Sequence, residues 1–240
     1  MSGAAKRTHS THTCCACLTP VYTSAHGRCF CESSVTNLTK DFDYVLDLGK
    51  LLADGSSDNL NSIIKKCTTG RAPPLTPTDF REALSAKSFT SKKADEDMVA
   101  RLYESTFTLR FAQAETLHYA SLAWGDAEMA TFAKVVASGA LASVTNLQLY
   151  SNQIGDVGMQ AFSSALADGA MPQLEKLYLF KNQIGDTGVT ALANACATGA
   201  MAHLELLYLD NNPVSEQTEQ TMQIATANRN GLRLSLEVLF

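Results

Sequence analysis

The sequence predicts an α/β protein, a short stack of strand–turn–helix units preceded by an α-helical cap. The first observation is a Gly-Asp dipeptide that recurs every thirty residues, at 125–126, 155–156 and 185–186. The second is that leucine and asparagine keep fixed positions around each dipeptide. The third is that this pattern is missing before Phe111, where apolar residues recur at helical spacing. Repeats of this length indicate stacked units that share one core.

Each unit begins with a predicted strand. Three copies of the pattern LxxLxLxxNxI begin at Val144, Leu174 and Leu204, with Val144 and Val214 as apolar replacements. The first two copies continue as GDxG, and a worn copy runs from Leu117 to Asp126. The alternation in the second clean copy places two leucines on one side of a short strand. Stacking then aligns equivalent leucines in columns, and each buried leucine contributes about 1.5–3 kcal/mol. The columns are Leu147, Leu177 and Leu207, and Leu149, Leu179 and Leu209.

A turn and a helix follow each strand. The recurring asparagines are predicted to be buried, with their amides bonded to backbone groups of the turn. The recurring aspartates start each helix, which favours helix capping over a metal or catalytic role. The recurring glycines end each helix, where a left-handed residue is common. These residues are Asn152, Asn182 and Asn212; Asp126, Asp156 and Asp186; and Gly139, Gly169 and Gly199.

The pattern resembles the ribonuclease-inhibitor-like class of leucine-rich repeats, also found in Ran GTPase-activating protein and NOD-like receptors, and is similar to units of algal proteins. The resemblance covers roughly 95 residues. It implies a curved right-handed solenoid, with parallel strands on the concave side and helices on the convex side. It also implies recognition of protein partners more often than catalysis.

Residues between the inward leucines are expected to face the concave surface. Tyr150, Tyr178, Phe180 and Tyr208 would form one aromatic patch there, of the kind that protein interfaces use as anchors. The alternative is that aromatic residues merely cover a narrow sheet, since strands favour them. The predicted partner-binding residues are Gln148, Tyr150, Tyr178, Phe180, Lys181, Tyr208 and Asp210.

Residues 36–112 are predicted to form an α-helical cap on the repeat array, which spans 113–236. The first two helices are expected around Phe42–Leu52 and Leu60–Cys67, with Gly70 ending the second. Thr76 and Pro77 favour the start of a third helix. A fourth is expected from Asp95, with Val99, Leu102, Tyr103 and Phe107 on its apolar face. An independent signalling module is the competing interpretation of this region.

Residues 1–35 are predicted to be a flexible tail rich in Cys, Ser and Thr. Residues 1–31 contain no Asp or Glu, so an organellar transit peptide is an alternative. Cys14, Cys17, Cys29 and Cys31 could in principle bind zinc, but the one-residue spacing of the second pair disfavours a metal site. At the other end, residues 236–240 resemble a remnant of a tag-cleavage site, with a native strand as the alternative.

Composition narrows the function further. A net charge of −5 disfavours nucleic-acid binding. The sequence contains no run of 18 apolar residues, so we predict no membrane span. We find no catalytic constellation and no phosphate-binding glycine loop, so we predict neither an enzyme nor a cofactor. The sequence therefore favours a protein-interaction module, or a subunit of a larger complex, with a small-GTPase activator as the alternative. An intracellular location is favoured, cytoplasmic or organellar.

Overall fold

The repeat array forms a solenoid of alternating strands and helices, which confirms the predicted fold class. The computed structural model describes residues 30–31, 34–35, 38, 44–46, 68–87, 92–227 and 232–236. The array comprises β3 (Thr116–His118), α3 (Asp126–Ala137), β4 (Asn146–Gln148), α4 (Asp156–Ala167), β5 (Lys176–Tyr178), α5 (Asp186–Ala197), β6 (Leu206–Tyr208), α6 (Glu216–Thr226) and β7 (Arg233–Ser235).

The five strands pair in parallel in chain order, from β3 to β7. Their register aligns one leucine column through the whole sheet: Leu117, Leu147, Leu177, Leu207 and Leu234. Leu147, Leu177 and Leu207 are completely buried beneath the helices. The worn copy that begins at Leu117 is therefore a full structural unit, and the stacked leucines form the predicted continuous core.

The recurring asparagines bond to the turns as predicted. The Oδ1 atom of Asn152 accepts hydrogen bonds from the backbone N–H groups of Leu122 at 2.9 Å and Trp124 at 3.1 Å. Its Nδ2 group donates to the carbonyls of Tyr119 at 2.8 Å and Leu149 at 2.9 Å. Each bond set joins one unit to the preceding one, because the amide satisfies backbone groups of both turns.

The glycine at the end of each helix also behaves as predicted. Gly139, Gly169 and Gly199 have φ values of 74°, 77° and 80°, in the left-handed region that glycine adopts without steric cost.

The N-terminal region covers the first unit. It contains the helices α1 (Pro77–Ser85) and α2 (Lys92–Ala112), and the two short antiparallel strands β1 (Tyr44–Leu46) and β2 (Thr68–Gly70). The rings of Phe80 and Tyr103 stack with centroids 3.8 Å apart, and both side chains belong to the same core as the repeat leucines. The Trp124 indole donates to the carbonyl of Arg71 at 2.7 Å. One continuous core supports the cap interpretation.

Predictions for the cap were only partly right. Thr76 caps α1, accepting from the Asp79 N–H at 3.1 Å, and Pro77 is the first helical residue, as predicted. α2 begins at Lys92, three residues before Asp95.

Three predictions in this region were wrong, and one was not tested. The helix around Phe42–Leu52 is contradicted by β1, which pairs with β2. Gly70 ends β2 rather than a helix, and a Cβ there would overlap the carbonyl of Leu122. Leu102 lies on the outer side of α2 rather than its core side. The helix predicted around Leu60–Cys67 lies outside the described residues.

The packed structure begins before the predicted boundary at residue 35. Phe30, Cys31, Ser34 and Val35 are helical, and the side chains of Cys31 and Ser34 are buried. The C-terminal end of the predicted tail is therefore packed rather than flexible. Residues 1–29, with the other candidate zinc ligands, and residues 237–240 lie outside the described residues, and the domain boundaries stay predictions. Within the described ranges, no helix combines the length and apolar composition that a membrane crossing requires.

Candidate functional site

The sheet has one face that no helix of the array covers. Burial alternates along each strand: Leu147 and Leu149 are buried, whereas Gln148 and Tyr150 are partly exposed. We call the partly exposed side the open face, and it carries six of the predicted partner-binding residues. It comprises Asn146, Gln148, Tyr150, Lys176, Tyr178, Phe180, Leu206, Tyr208 and Asp210.

Four aromatic rings of the open face form two pairs. The rings of Tyr150 and Phe180 are nearly parallel, at 5°, with centroids 4.5 Å apart. The rings of Tyr178 and Tyr208 are 5.4 Å apart and inclined at 40°. Equivalent positions on neighbouring strands are about 4.8 Å apart, so aromatic residues one unit apart come into contact. The pairs lie in adjacent rows and form an aromatic surface across β4, β5 and β6.

The predicted polar residues lie around these rings. Gln148 is paired in register with His118 and Tyr178, and Lys181 is exposed just beyond Phe180. Asp210 accepts a hydrogen bond from the Ser235 hydroxyl at 2.5 Å. The structure thus adds Ser235 and also His118, whose ring lies 6.1 Å from that of Tyr150, edge to face. Leu232, Leu234 and Leu236 alternate along the sequence in the manner of a strand, which is the signal that could have placed Ser235 on the sheet.

A left-handed residue lies at the edge of the open face in every unit. Ser121, Ser151, Lys181 and Asn211 have φ values of 58°, 56°, 56° and 57°. The N–H of Lys181 donates to the carbonyl of Asp210 at 2.9 Å, and Ser151 bonds to Phe180 in the same way at 3.0 Å. This conformation carries a cost for non-glycine residues, smallest for asparagine. The backbone of this residue bonds to the neighbouring unit in the same way, whichever side chain the residue carries.

The carboxylates of the recurring aspartates accept hydrogen bonds from the backbone. Oδ1 of Asp126 accepts from the N–H groups of Gly155 at 2.7 Å and Gly158 at 2.9 Å, at the start of α4. Asp156 repeats this with Gly185 and Gly188, both at 2.8 Å. The capping role is therefore confirmed, but each carboxylate caps the helix of the next unit rather than its own. Among the described residues, no group of three or more His, Cys, Asp and Glu is placed to hold a metal ion.

Comparison with known families agrees with this geometry. A family model described as a leucine-rich repeat matches residues 140–163 and 170–193. These segments of the chain are leucine-rich repeats. Each matched segment runs from the end of one helix, through a strand and its asparagine turn, into the next helix. No curated protein matches the chain significantly. Leucine-rich repeats generally serve as protein-binding modules, whereas likeness to the particular relatives named above stays a prediction.

Proposed function

We propose that this leucine-rich-repeat protein binds another protein through its open face, with Tyr178 and Phe180 as the central anchors. The observation that supports this most is the two pairs of aromatic rings on the side of the sheet away from the core. These rings are not needed to fill the core, because the leucine columns on the other side already do so.

The chemistry of the surroundings supports the same proposal. Large aromatic side chains lose little conformational freedom on binding and are enriched at the energetic centres of interfaces. Around them lie Gln148, Lys181 and Asp210, which can supply the polar rim of such an interface. A face that only protected the sheet would need neither the tyrosine hydroxyls nor the charged groups.

A matched pair of variants tests the proposal. Tyr178→Ala with Phe180→Ala removes one ring from each pair. Gln160→Ala with Thr190→Ala, the control, changes two exposed residues on α4 and α5, on the opposite side of the array. Both variants and the wild type are used for affinity purification from the native cell, followed by quantitative mass spectrometry.

We expect the aromatic variant to lose a specific partner that the wild type and the control retain, with a nearly unchanged melting temperature. Titration of that partner as a purified protein should then show a loss of affinity of at least about 30-fold, since anchor residues contribute about 2 kcal/mol or more. Equal capture by all three proteins would place the binding site elsewhere. A GTP-hydrolysis assay with small GTPases distinguishes the alternative, because an activator would accelerate hydrolysis.

A further inference from the structure

A cavity lies between the cap and the first helix of the repeat array. Its volume is about 380 Å³, within the range of small-molecule sites in proteins. The segment 72–75 forms one side, the helical segment with Phe30 and Ser34 a second, and the first two turns of α3 a third. No residue of the open face lines this cavity, so it is a separate feature of the molecule.

Hydrogen bonds and ring contacts fix the walls of the cavity. The Tyr103 hydroxyl donates to the carbonyl of Leu75 at 2.9 Å and accepts from the N–H of Leu75 at 3.2 Å. The ring of Phe80 stacks on that of Tyr103, with centroids 3.8 Å apart, and on that of Phe30, 5.2 Å away. The adjacent proline, Pro74, has a backbone of fixed φ. The cavity is thus formed before a molecule enters it, which is typical of ligand sites.

Two polar groups of the lining have hydrogen-bonding capacity left. Ser34 is 8% exposed, and its hydroxyl bonds to no other residue in the described part of the chain. The Oε2 atom of Glu128 accepts from the Gly125 N–H at 2.9 Å, which leaves Oε1 without a bond to a described residue. A hydroxyl can donate and accept, whereas a carboxylate can only accept. Both groups are therefore available to a molecule that carries N–H donors.

The charge of the lining is negative. Among the described residues that line the cavity, Glu128 is the one that carries a charge. The acidic side chains in the first turn of α3 already oppose the positive end of the helix dipole. The cations on the surrounding elements contact other side chains: Lys134 with Asp79, Lys87 with the ring of Phe30, and Arg71 with the ring of Tyr119. The cavity therefore favours a ligand with a positive charge.

We propose that the cavity binds a small primary amine that carries an apolar ring. The ammonium group has three donors and no acceptor, and it donates to the Glu128 carboxylate. The ring lies against the apolar side chains of Phe30, Pro73 and Leu75, which line the cavity. The Ser34 hydroxyl is a second polar partner for the N–H groups of the ligand. Mainly apolar walls with a few polar groups that orient the ligand are the usual composition of such sites.

Titration of the full, isotope-labelled chain with tryptamine tests the proposal, with the backbone amide resonances as the readout. We expect shifts confined to residues around the cavity, such as Ala72, Ala127 and Thr131. The dissociation constant should be on the order of 100 µM, because the ligand has few atoms. Indolepropionic acid has the same ring system with a carboxylate in place of the ammonium. It should bind at least about tenfold more weakly, since it would place a like charge beside Glu128.

A matched pair of variants tests the role of the carboxylate. Glu128→Gln removes the charge but keeps an oxygen that can accept from the Gly125 N–H. It should weaken tryptamine binding about tenfold, without weakening that of indolepropionic acid. Glu216→Gln, the control, makes the same change in the first turn of α6 and should leave both affinities unchanged. Circular dichroism checks that each variant is folded; if Glu128→Gln unfolds the chain, Ser34→Ala should still weaken tryptamine binding about threefold.

Three results would overturn the proposal. The first is the absence of amide shifts with tryptamine at about 5 mM, well above the expected dissociation constant. The second is equal affinity for the amine and the acid, which would show that the carboxylate does not select the ligand. The third is a set of shifts around Tyr178 and Phe180 instead of the cavity, which would place the amine on the open face.

Discussion

The junctions inside the repeat array differ from the junction at its C-terminal end. Inside, Asp126 and Asp156 each cap the next helix through two backbone N–H groups, and the strands follow one another every thirty residues. At the end, Asp186 accepts one backbone bond, from Ser215 at 2.7 Å. Ser215 caps its own helix, with its hydroxyl accepting from the Thr218 N–H at 3.4 Å. The last strand comes sooner, with Arg233 in register with Leu206.

The difference between these junctions indicates why the repeat unit has a glycine in the first turn of its helix. A Cβ atom on Gly158 would lie 2.8 Å from Oδ1 of Asp126 and 2.9 Å from Cβ of Met129. The glycine therefore leaves room for the carboxylate of its neighbour. The last unit has a serine, Ser215, where the preceding units have the glycine before the helix. This serine caps the helix of its own unit. The first unit does likewise, since Glu128 accepts from the Gly125 N–H at 2.9 Å.

The largest expected difference between the two kinds of junction lies in the leucine column. Leu177→Ala should lower the free energy of unfolding by about 3–4 kcal/mol, because the completely buried side chain leaves a cavity between two units. Leu234→Ala, in the same column but only partly buried in β7, should cost about 1 kcal/mol. Urea unfolding measures both losses of free energy, and equal losses would contradict the expected difference between the two kinds of junction.

The aspartates should give a smaller difference in the same direction. Asp156→Ala should cost about 1–2 kcal/mol, because Gly185 and Gly188 lose their acceptor and glycine offers no replacement. Asp186→Ala should cost less, because the Ser215 hydroxyl still caps α6. Urea unfolding at neutral pH compares them, and a larger loss from Asp186→Ala would contradict the assigned role of Ser215.

Asp186 also provides a pH test of its own. The hydrogen bond from the Ser215 backbone N–H lowers the pKa of Asp186, with a further contribution from the Ser215 hydroxyl. A lowered pKa means that the ionised carboxylate favours the folded state. Its contribution is complete above the ordinary aspartate pKa and is lost as the pH falls through the lowered value. The difference in urea midpoint between wild type and Asp186→Ala should therefore narrow at acidic pH.

The smallest effect is an expected gain inside the array. The hydroxyl of Ser163 is buried in α4 without a hydrogen-bond partner, whereas the equivalent residues Ala133 and Ala193 carry no polar group. Ser163→Ala should raise the free energy of unfolding by about 1 kcal/mol. Thermal unfolding compares it with Ser164→Ala, one position away on the exposed surface, which should change little. A loss of stability would show that Ser163 has a bonding role.

The repeat array was predictable because each feature occurs several times. The thirty-residue spacing alone predicted the leucine columns, the asparagine bonds and the left-handed Gly139. The ring stack of Tyr150 and Phe180 followed from the same register, since adjacent strands bring equivalent positions together. Whether these rings bind a partner stays a prediction.

Other features depended on contacts that no local pattern contains. β1 is three residues long and exists through pairing with β2, which lies more than twenty residues later in the chain. Leu102 was assigned to the wrong side because α2 is apolar on two sides, so periodicity could not tell the inner from the outer. The target of Asp126 was missed because capping by a neighbouring unit requires the stack itself.

The bonds between Asp126 and the two glycines of the next unit have an evolutionary consequence. Loss of residues 156–185 would join Gly155 to Asp186, and Asp126 would again face a glycine at the helix start and another, Gly188, three residues on. Whole units can thus be lost or duplicated by recombination without creating a new kind of junction. Descendants of this gene can therefore lengthen or shorten the open face in steps of one row while the fold remains the same.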